Sequence, residues 1–600
     1  MPGTRSPDPR LPWPRVVPRK LLIAVVAAGL GTLPAAAATS TRSAVSQIVA
    51  QSLLMPGVGY QREVDFTPRG PVVLDIVTAP RPDGSLYTLA PALSNGAIGG
   101  TEKLTDMEKD ASTTATAVGV NGDFFAAKTA VPTGILMRSG ALDSPPAAGR
   151  SSLGIAPDGT LTVRRVAFDG TWRGTDQRRQ LDLNAAPVAG HTTLYTSAWG
   201  PVTPAETGVV EDVIGSFPPA QPNRVLTGAV TQVAAQGGVA IPPGGAVLVA
   251  RGAQAPHLAA EAPAGTTVEV RLTLTPDWSG MASAIGGGPV LVTAGRPVFR
   301  ANETFNDPVL AARGARSAVG QLSDGRILLV SVEGGGSAYS AGMTNYELAV
   351  ALARLGAVTA MGLGSGVSAA MAFDGLLLTR PPASGEQVLS DALLLSYNGV
   401  YAAPPTVAVV SPNGDGVDDA QTFTYKLLRL SSVTVTLTGP DTGTRTLVQD
   451  AEQPGVHMVD WNAETAAGTS EVEGAWKFTV TAVDDQGETT SADRQFSVND
   501  TLGSLQATPA AAQLQPAGTT LTTAFQLAHP ATVTVTIETR TGIVIATLLD
   551  AKLQPGPQQV LWDGRTWTGS LAFTGAYQVQ VTAQNSIGEV SLSAPFTARR

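Results

Sequence analysis

The 600 residues contain no cysteine. The chain can therefore form no disulfide and cannot be lipid-anchored through an N-terminal cysteine, so stability outside a cell must come from packing and bound ions. Histidine is nearly as scarce: His191, His257, His457 and His529 lie far apart and in no spacing such as His-Glu-x-x-His, which speaks against a zinc hydrolase. A serine hydrolase is disfavoured for a related reason, because no histidine follows Ser365 before His457, which falls in a different domain. Charged residues make up only 14% of the chain and the formal net charge is −9. Beyond the N-terminus there is no polybasic block, so nucleic acid is not an expected partner.

What is abundant is hydrophobic residues (43%), glycine (65) and proline (44). That balance suits β-rich domains joined by many turns, in a chain too long for a single core. At the start, Arg5, Arg10, Arg15, Arg19 and Lys20 precede an apolar run from Leu21 to Leu30, followed by Pro34 and an Ala-x-Ala site near Ala38. This pattern predicts a secretory signal over 1–38 and a secreted or cell-surface protein. The rival reading is an uncleaved anchor, but the Gly, Pro and poly-Ala end favours cleavage, leaving no stable membrane span. Residues 39–56 then read as an N-terminal extension.

From 57 to 400, short alternating strands are mixed with helical segments. Val72 to Ala79 and Arg326 to Gly334 read as strands, and Thr101 to Ala115 has a charged helical face. Thr344 to Val358 is the clearest helix: Leu348, Leu352 and Leu355 share a face, Thr344 with Glu347 makes a capping box, and Gly356 closes it. After Tyr401 the texture becomes purely β and repeats. VTVTL at Val433 recurs as VTVTI at Val533, Trp461 as Trp562, Trp476 as Tyr577 and Gly487 as Gly588, at an offset of 100 or 101 residues. One immunoglobulin-like sandwich has about that length, so two are expected, over 404–500 and 501–600.

Several polar residues stand at strand ends or in Gly-rich turns. VGVNGDFF sets Asn121 and Asp123 after an apolar strand, though Asn-Gly-Asp is also a common turn. The glycines of AIGGGPV, Gly288 among them, precede another strand. Arg316 opens one strand and Glu333 ends the next. They reach one rim only if the two registers match; otherwise they are separate solvated residues. Arg suits a phosphodiester because its planar donors can pair with two oxygens. GLGSGVS (Gly362 to Ser368) follows an apolar run and can hold phosphate with backbone N–H groups and hydroxyls, yet it contains no carboxylate. In SPNGDGVDD, Asn413, Asp415, Asp418 and Asp419 surround Gly416, a spacing compatible both with calcium and with a plain Asx-rich loop.

Taken in order, NGDFF, PTGILMRSGAL, SLGIAPDGTL, LYTSAWG, IGGGPVLV, ARSAVG, the strand ending at Glu333-Gly-Gly-Gly-Ser, GMTNYELAVALARLGAVTAM and GLGSGVSAAMAFDG resemble the phosphodiester glycosidase family over roughly 57–397. SPNGDGVDD resembles the opening of FlgD-type immunoglobulin-like domains, which usually space or tether. The resemblance implies a mixed α/β, β-rich catalytic domain followed by two all-β immunoglobulin-like sandwiches. It further implies hydrolysis, or binding, of sugar-1-phosphodiester linkages in glycans or cell-envelope polymers, with no cofactor for catalysis. Asn121, Arg316, Gly288, Ser365, Gly366 and Ser368 would bind substrate. Three departures matter: Gly364 stands where the family carries Asp, Val367 where it carries Gly, and the family's Asn-Arg-Pro-Ser reads Thr379-Arg380-Pro381-Pro382. Asp123, Glu333 and Glu386 remain as acids able to serve catalysis, since a phosphodiester is a better leaving group than a sugar alkoxide. Gly364→Asp, helped by Val367→Gly, is expected on this reading to raise activity. The alternatives are an impaired phosphosugar binder, or a structural or adhesive envelope protein acting through its sandwiches.

Overall fold

The computed structural model describes residues 45–305, 312–336, 338–414, 416–441, 443–465, 470–518 and 520–600. The signal expected over 1–38 lies outside them. Among the described residues no helix is long and apolar enough to cross a membrane.

Strand formation begins earlier than the sequence suggested. Val45–Met55, placed in the extension, pairs antiparallel with Val58–Thr67 and forms the edge of an eight-stranded sheet. Gly70–Ala79, Ile327–Val332, Arg316–Leu322 and Ala357–Gly362 follow in that order toward its centre. The runs VVLDIV and ILLVSV are buried along their whole length because both faces of this sheet are covered. One face packs Leu74, Ile76, Ala318, Val330 and Val332 against Leu348 and Leu352 of the helix Asn345–Arg354. That helix carries the expected capping box between Thr344 and Glu347, and Gly356 follows it at φ +91°. The other face packs Val77, Val319, Leu329 and Met361 against Val118, Val120, Leu393 and Leu395. These last four belong to a five-stranded sheet whose central strands are Thr116–Asn121 and Asp391–Tyr397.

The shorter helix Leu104–Ala111 packs Leu104 and Met107 behind that second sheet, while Glu102–Lys103, expected as helix, pairs instead with Val388–Leu389. Residues 167–275 contribute a further eight-stranded sheet with a core around Trp172, Leu248 and Trp278.

Two all-β sandwiches follow, each a three-stranded sheet against a five-stranded one. In the first, Gln421–Leu427 pairs with Gly455–Trp461, and Ser431–Thr438 with Gly474–Asp484. In the second the equivalent pairs are Leu521–Leu527 with Gly556–Trp562, and Ala531–Thr539 with Gly575–Gln584. The repeated residues occupy matching places: Trp461 and Trp476 are buried with Phe423 and Phe478, and Trp562 and Tyr577 with Phe525 and Phe596.

Candidate active site

Antiparallel register explains which polar residues meet. Arg62 stands opposite Asp75, Asp75 opposite Ser331, and Ser331 opposite Ser317. Directly paired residues share a face, so these four form a polar row across four neighbouring strands, on the side facing the second sheet. Arg316, paired with Val332, must turn to the opposite, helix-covered face, while Glu333 falls on the side of Ser331. The expected Arg316–Glu333 pair therefore does not form. Arg316 is buried, donates to the carbonyls of Ala312 and Ala315, and has its pKa lowered by burial.

Glu333 is the carboxylate at the wall of an open cleft, itself buried. It lines a cleft of about 300 Å³ with Ala315, Gly334, Gly335, Gly366, Val367, Thr379 and Arg380. Its Oε1 accepts from Arg62 Nη2 at 3.0 Å and from the Arg380 backbone N–H at 2.9 Å, and its Oε2 accepts from the Tyr339 hydroxyl at 2.5 Å. The Arg380 guanidinium lies 4.6 Å from the centre of the Tyr339 ring and is exposed. Burial, then the hydrogen bond to Glu333 and its charge, pushes Tyr339 up to about 12. Behind Glu333, Arg62 Nε also donates to Asp75 Oδ1 at 2.9 Å, where the Tyr60 hydroxyl donates at 2.6 Å. Asp75 is fully buried and accepts no hydrogen bond at Oδ2 among the described residues. Burial raises its pKa to about 7 against the pull of Arg62.

Of the other expected residues, only Gly366 lines this cleft. Asn121 is a tether: its amide donates to Gly364 O at 2.9 Å, and its Oδ1 accepts from Ser317 Oγ at 2.6 Å and Ala370 N at 3.1 Å. Asp123 is buried in an ion pair with Arg150 at 2.6 Å, and its N–H donates to Asp391 Oδ1 at 2.6 Å. Burial raises the pKa of both acids, that of Asp391 to about 7 with the Asp123 charge adding to the effect. The Arg150 guanidinium also donates to Gly287 O and lies 4.9 and 4.8 Å from the centres of the Phe124 and Phe305 rings. Gly288, at φ +105°, is crowded by Glu303, which accepts from Val290 N at 2.7 Å and Ser151 N at 2.8 Å. Ser365, Gly366 and Ser368 form the turn at the cleft's edge, with the Gly366 N–H donating to Ala315 O at 3.0 Å. Glu386 is elsewhere: its carboxylate accepts from the N–H and hydroxyl of Thr105 at 3.0 and 2.8 Å, capping the helix Leu104–Ala111. A helix start lacking a side-chain cap of its own drew in a carboxylate from a distant loop, so Glu386 is not an acid of this site.

The loop expected to have lost its Asp has also closed around glycine. A Cβ on Gly364 would stand 2.9 Å from Asn121 Nδ2, 3.0 Å from Gly122 O and 3.1 Å from Asp123 O. The left-handed residue of the turn is Gly366, at φ +74°, and Val367 does not share that conformation. In the first sandwich, Asp415 lies outside the described residues. Asp419 accepts from the backbone N–H groups of Asn413, Gly414 and Gly416 at 3.0, 2.8 and 2.7 Å, and Asp418 takes φ +57°. The Asp419 carboxylate is thus turned onto the backbone of its own loop.

Sequence reasoning passed over Arg62, Asp75, Ser317, Tyr339, Arg150 and Asp391. The available signal was a polar residue interrupting an apolar strand, as Asp75 does in VVLDIV and Ser331 in ILLVSV.

Residues 221–396 match the family model described as phosphodiester glycosidase, a span that includes Gly288, Arg316, Glu333 and the 364–368 turn and begins after Asn121 and Asp123. Residues 511–586 match the FlgD Ig-like domain. No curated protein matches the chain. Among solved structures, a hypothetical protein from Synechocystis is 27% identical over 57% of this chain and 62% of its own, with a TM-score of 0.48. The zebrafish N-acetylglucosamine-1-phosphodiester alpha-N-acetylglucosaminidase catalytic domain is 13% identical over 60% of this chain and 88% of its own, with a TM-score of 0.31. The chain thus carries, within its first and β-rich domain, a segment that matches the phosphodiester glycosidase model and, at its end, one that matches the FlgD Ig-like domain.

Proposed function

We propose that the protein is a phosphodiester glycosidase that hydrolyses sugar-1-phosphodiester linkages in glycans or envelope polymers outside the cell. The observation that carries this reading is the position of Glu333, a carboxylate held by three donors at the wall of a Gly-rich cleft whose rim bears the exposed Arg380. In this reading Arg380 and the backbone of Gly334, Gly335 and Gly366 take the phosphodiester, and Glu333 faces the sugar carbon. There its negative charge stabilises the positive charge that develops as the C–O bond breaks, and it can accept a proton from the attacking water. The phosphate departs as a stabilised anion, which lessens the need for a second acid. Arg62 and Tyr339 fix the carboxylate, and Asp75 acts on it through Arg62 as a positioning residue.

The test is release of free sugar from a simple sugar-1-phosphodiester by purified protein. Glu333→Gln should lower kcat by about a hundredfold or more, and Arg380→Ala should act mainly on KM. Wild-type turnover in Glu333→Gln would overturn the assignment. The closure of the loop around Gly364 favours a second reading, a binder of the same ligands without turnover. Saturable binding by wild type without sugar release, weakened by Arg380→Ala, would select it.

A further inference from the structure

We propose that Glu473, Asp500 and His529 form a zinc-type divalent metal site that joins the two sandwiches. Glu473 immediately precedes the strand Gly474–Asp484 of the first sandwich, Asp500 lies in the connection before Leu502–Thr508, and His529 sits in the turn before Ala531–Thr539 of the second. Three stretches of chain therefore each supply one ligand.

The geometry is that of a coordination shell. His529 Nε2 lies 3.3 Å from Glu473 Oε2 and 3.8 Å from Asp500 Oδ1, and one donor atom from each residue falls within 4.8 Å of the others. Two ligands each about 2.0–2.1 Å from a tetrahedral ion stand about 3.3–3.4 Å apart, close to the two separations from His529. A second observation is independent of those distances: Asp500 Oδ1 is buried and accepts no hydrogen bond among the described residues. Two carboxylates converge here on one imidazole, an arrangement that a bound cation relieves.

The surrounding polar groups support the ligands as outer contacts usually do. Asn585 Nδ2 donates to Glu473 Oε1 at 3.2 Å and to Thr501 Oγ1 at 2.8 Å, holding Glu473 with Oε2 turned toward His529. Asn499 in turn donates to Asn585 Oδ1 at 3.2 Å. An open hollow of about 680 Å³, lined by Glu473, His529, Gln584 and Asn585, gives an ion a path in and leaves its fourth position to water. The donor set of one imidazole nitrogen and two carboxylates selects zinc over calcium, which takes six to eight oxygen ligands.

The experiment uses tag-free full-length protein stripped with EDTA and titrated with zinc chloride by calorimetry, with melting followed in parallel. The expected result is one zinc per chain and a higher melting temperature for the sandwich transition. His529→Ala and, separately, Glu473→Gln should weaken zinc binding at least tenfold while each melts like the stripped wild type. Absence of zinc uptake overturns the proposal, as does uptake unchanged in both variants. Calcium bound at equal affinity and lost in Glu473→Gln but not in His529→Ala would overturn the assignment of the imidazole as a ligand.

Discussion

Three buried carboxyls, Asp75, Asp212 and Asp391, have pKa values raised by burial to about 7. The unfolded value is about 3.9, so over the interval between them the folded state binds more protons than the unfolded one. Stability from these neutral carboxyls is fully present below about pH 4 and is lost as pH rises through about 7. Asp212 isolates the effect, because it is fully buried and accepts no hydrogen bond at either oxygen among the described residues. Asp212→Val should raise stability at pH 8 by about 1–3 kcal/mol and flatten the decline between pH 5 and 8 in denaturant titrations. An unchanged slope would remove Asp212 as its source. Asp75 should also be visible in catalysis, since its ionisation changes the charge beside Arg62. Sugar release should show a limb near pH 7 that disappears in Asp75→Asn, while Glu333→Gln lowers the whole profile.

At the scale of elements, what could be read in advance was whatever depends on neighbours in sequence. The helix Asn345–Arg354, with its Thr344–Glu347 box, needs only residues three and four apart, and the sandwich repeat needs only self-comparison. The polar row Arg62, Asp75, Ser331 and Ser317 depends instead on the registers of strands up to 271 residues apart, as the Arg62–Glu333 bond shows. One step of register decides whether Arg316 or Ser317 faces the site, and nothing local to ARSAVG fixes that step. The same limit applies to the Gly364 turn. A missing Asp was legible by resemblance, but not that Asn121, Gly122 and Asp123 had closed on the space. Gly364→Asp should therefore lower stability by about 1–3 kcal/mol through the clash at its Cβ and bring no gain in sugar release. Increased turnover in that variant would show that the loop can reopen.

For the whole molecule, the question is how far the sandwiches are independent of the first domain. The connection between them alternates. Tyr401 is buried in the first domain's core, while Val400 and Ala402 are buried in the core of the first sandwich. Tyr401 and Ala402 also pair with Lys426 and Tyr425, so the short strand Tyr401–Ala402 is an edge of the sandwich itself. A fragment beginning at Pro404 loses this edge and the two small side chains that close the core. One beginning at Asn398 keeps them, and should melt several degrees higher with a single cooperative transition. In the intact chain the same region is locked from outside by Lys426. Its ammonium donates to the carbonyls of Ser112 and Ala115 at 3.3 and 2.9 Å and lies 3.4 Å from Asp374. Burial lowers the pKa of Lys426 against the pull of Asp374, so the attached state binds fewer protons than the free one and attachment is favoured as pH rises through that lowered value. Arg494 adds a second attachment, donating to the carbonyls of Leu53 and Leu54 at 3.1 and 3.2 Å. Lys426→Ala with Arg494→Ala should separate the melting of intact protein into two transitions, while the fragment from Asn398 loses the Arg494 Nε bond to the Ala402 carbonyl and still melts as one unit. If the double variant still melts as one unit, the apolar contact of Tyr401 couples the domains and the two cations do not.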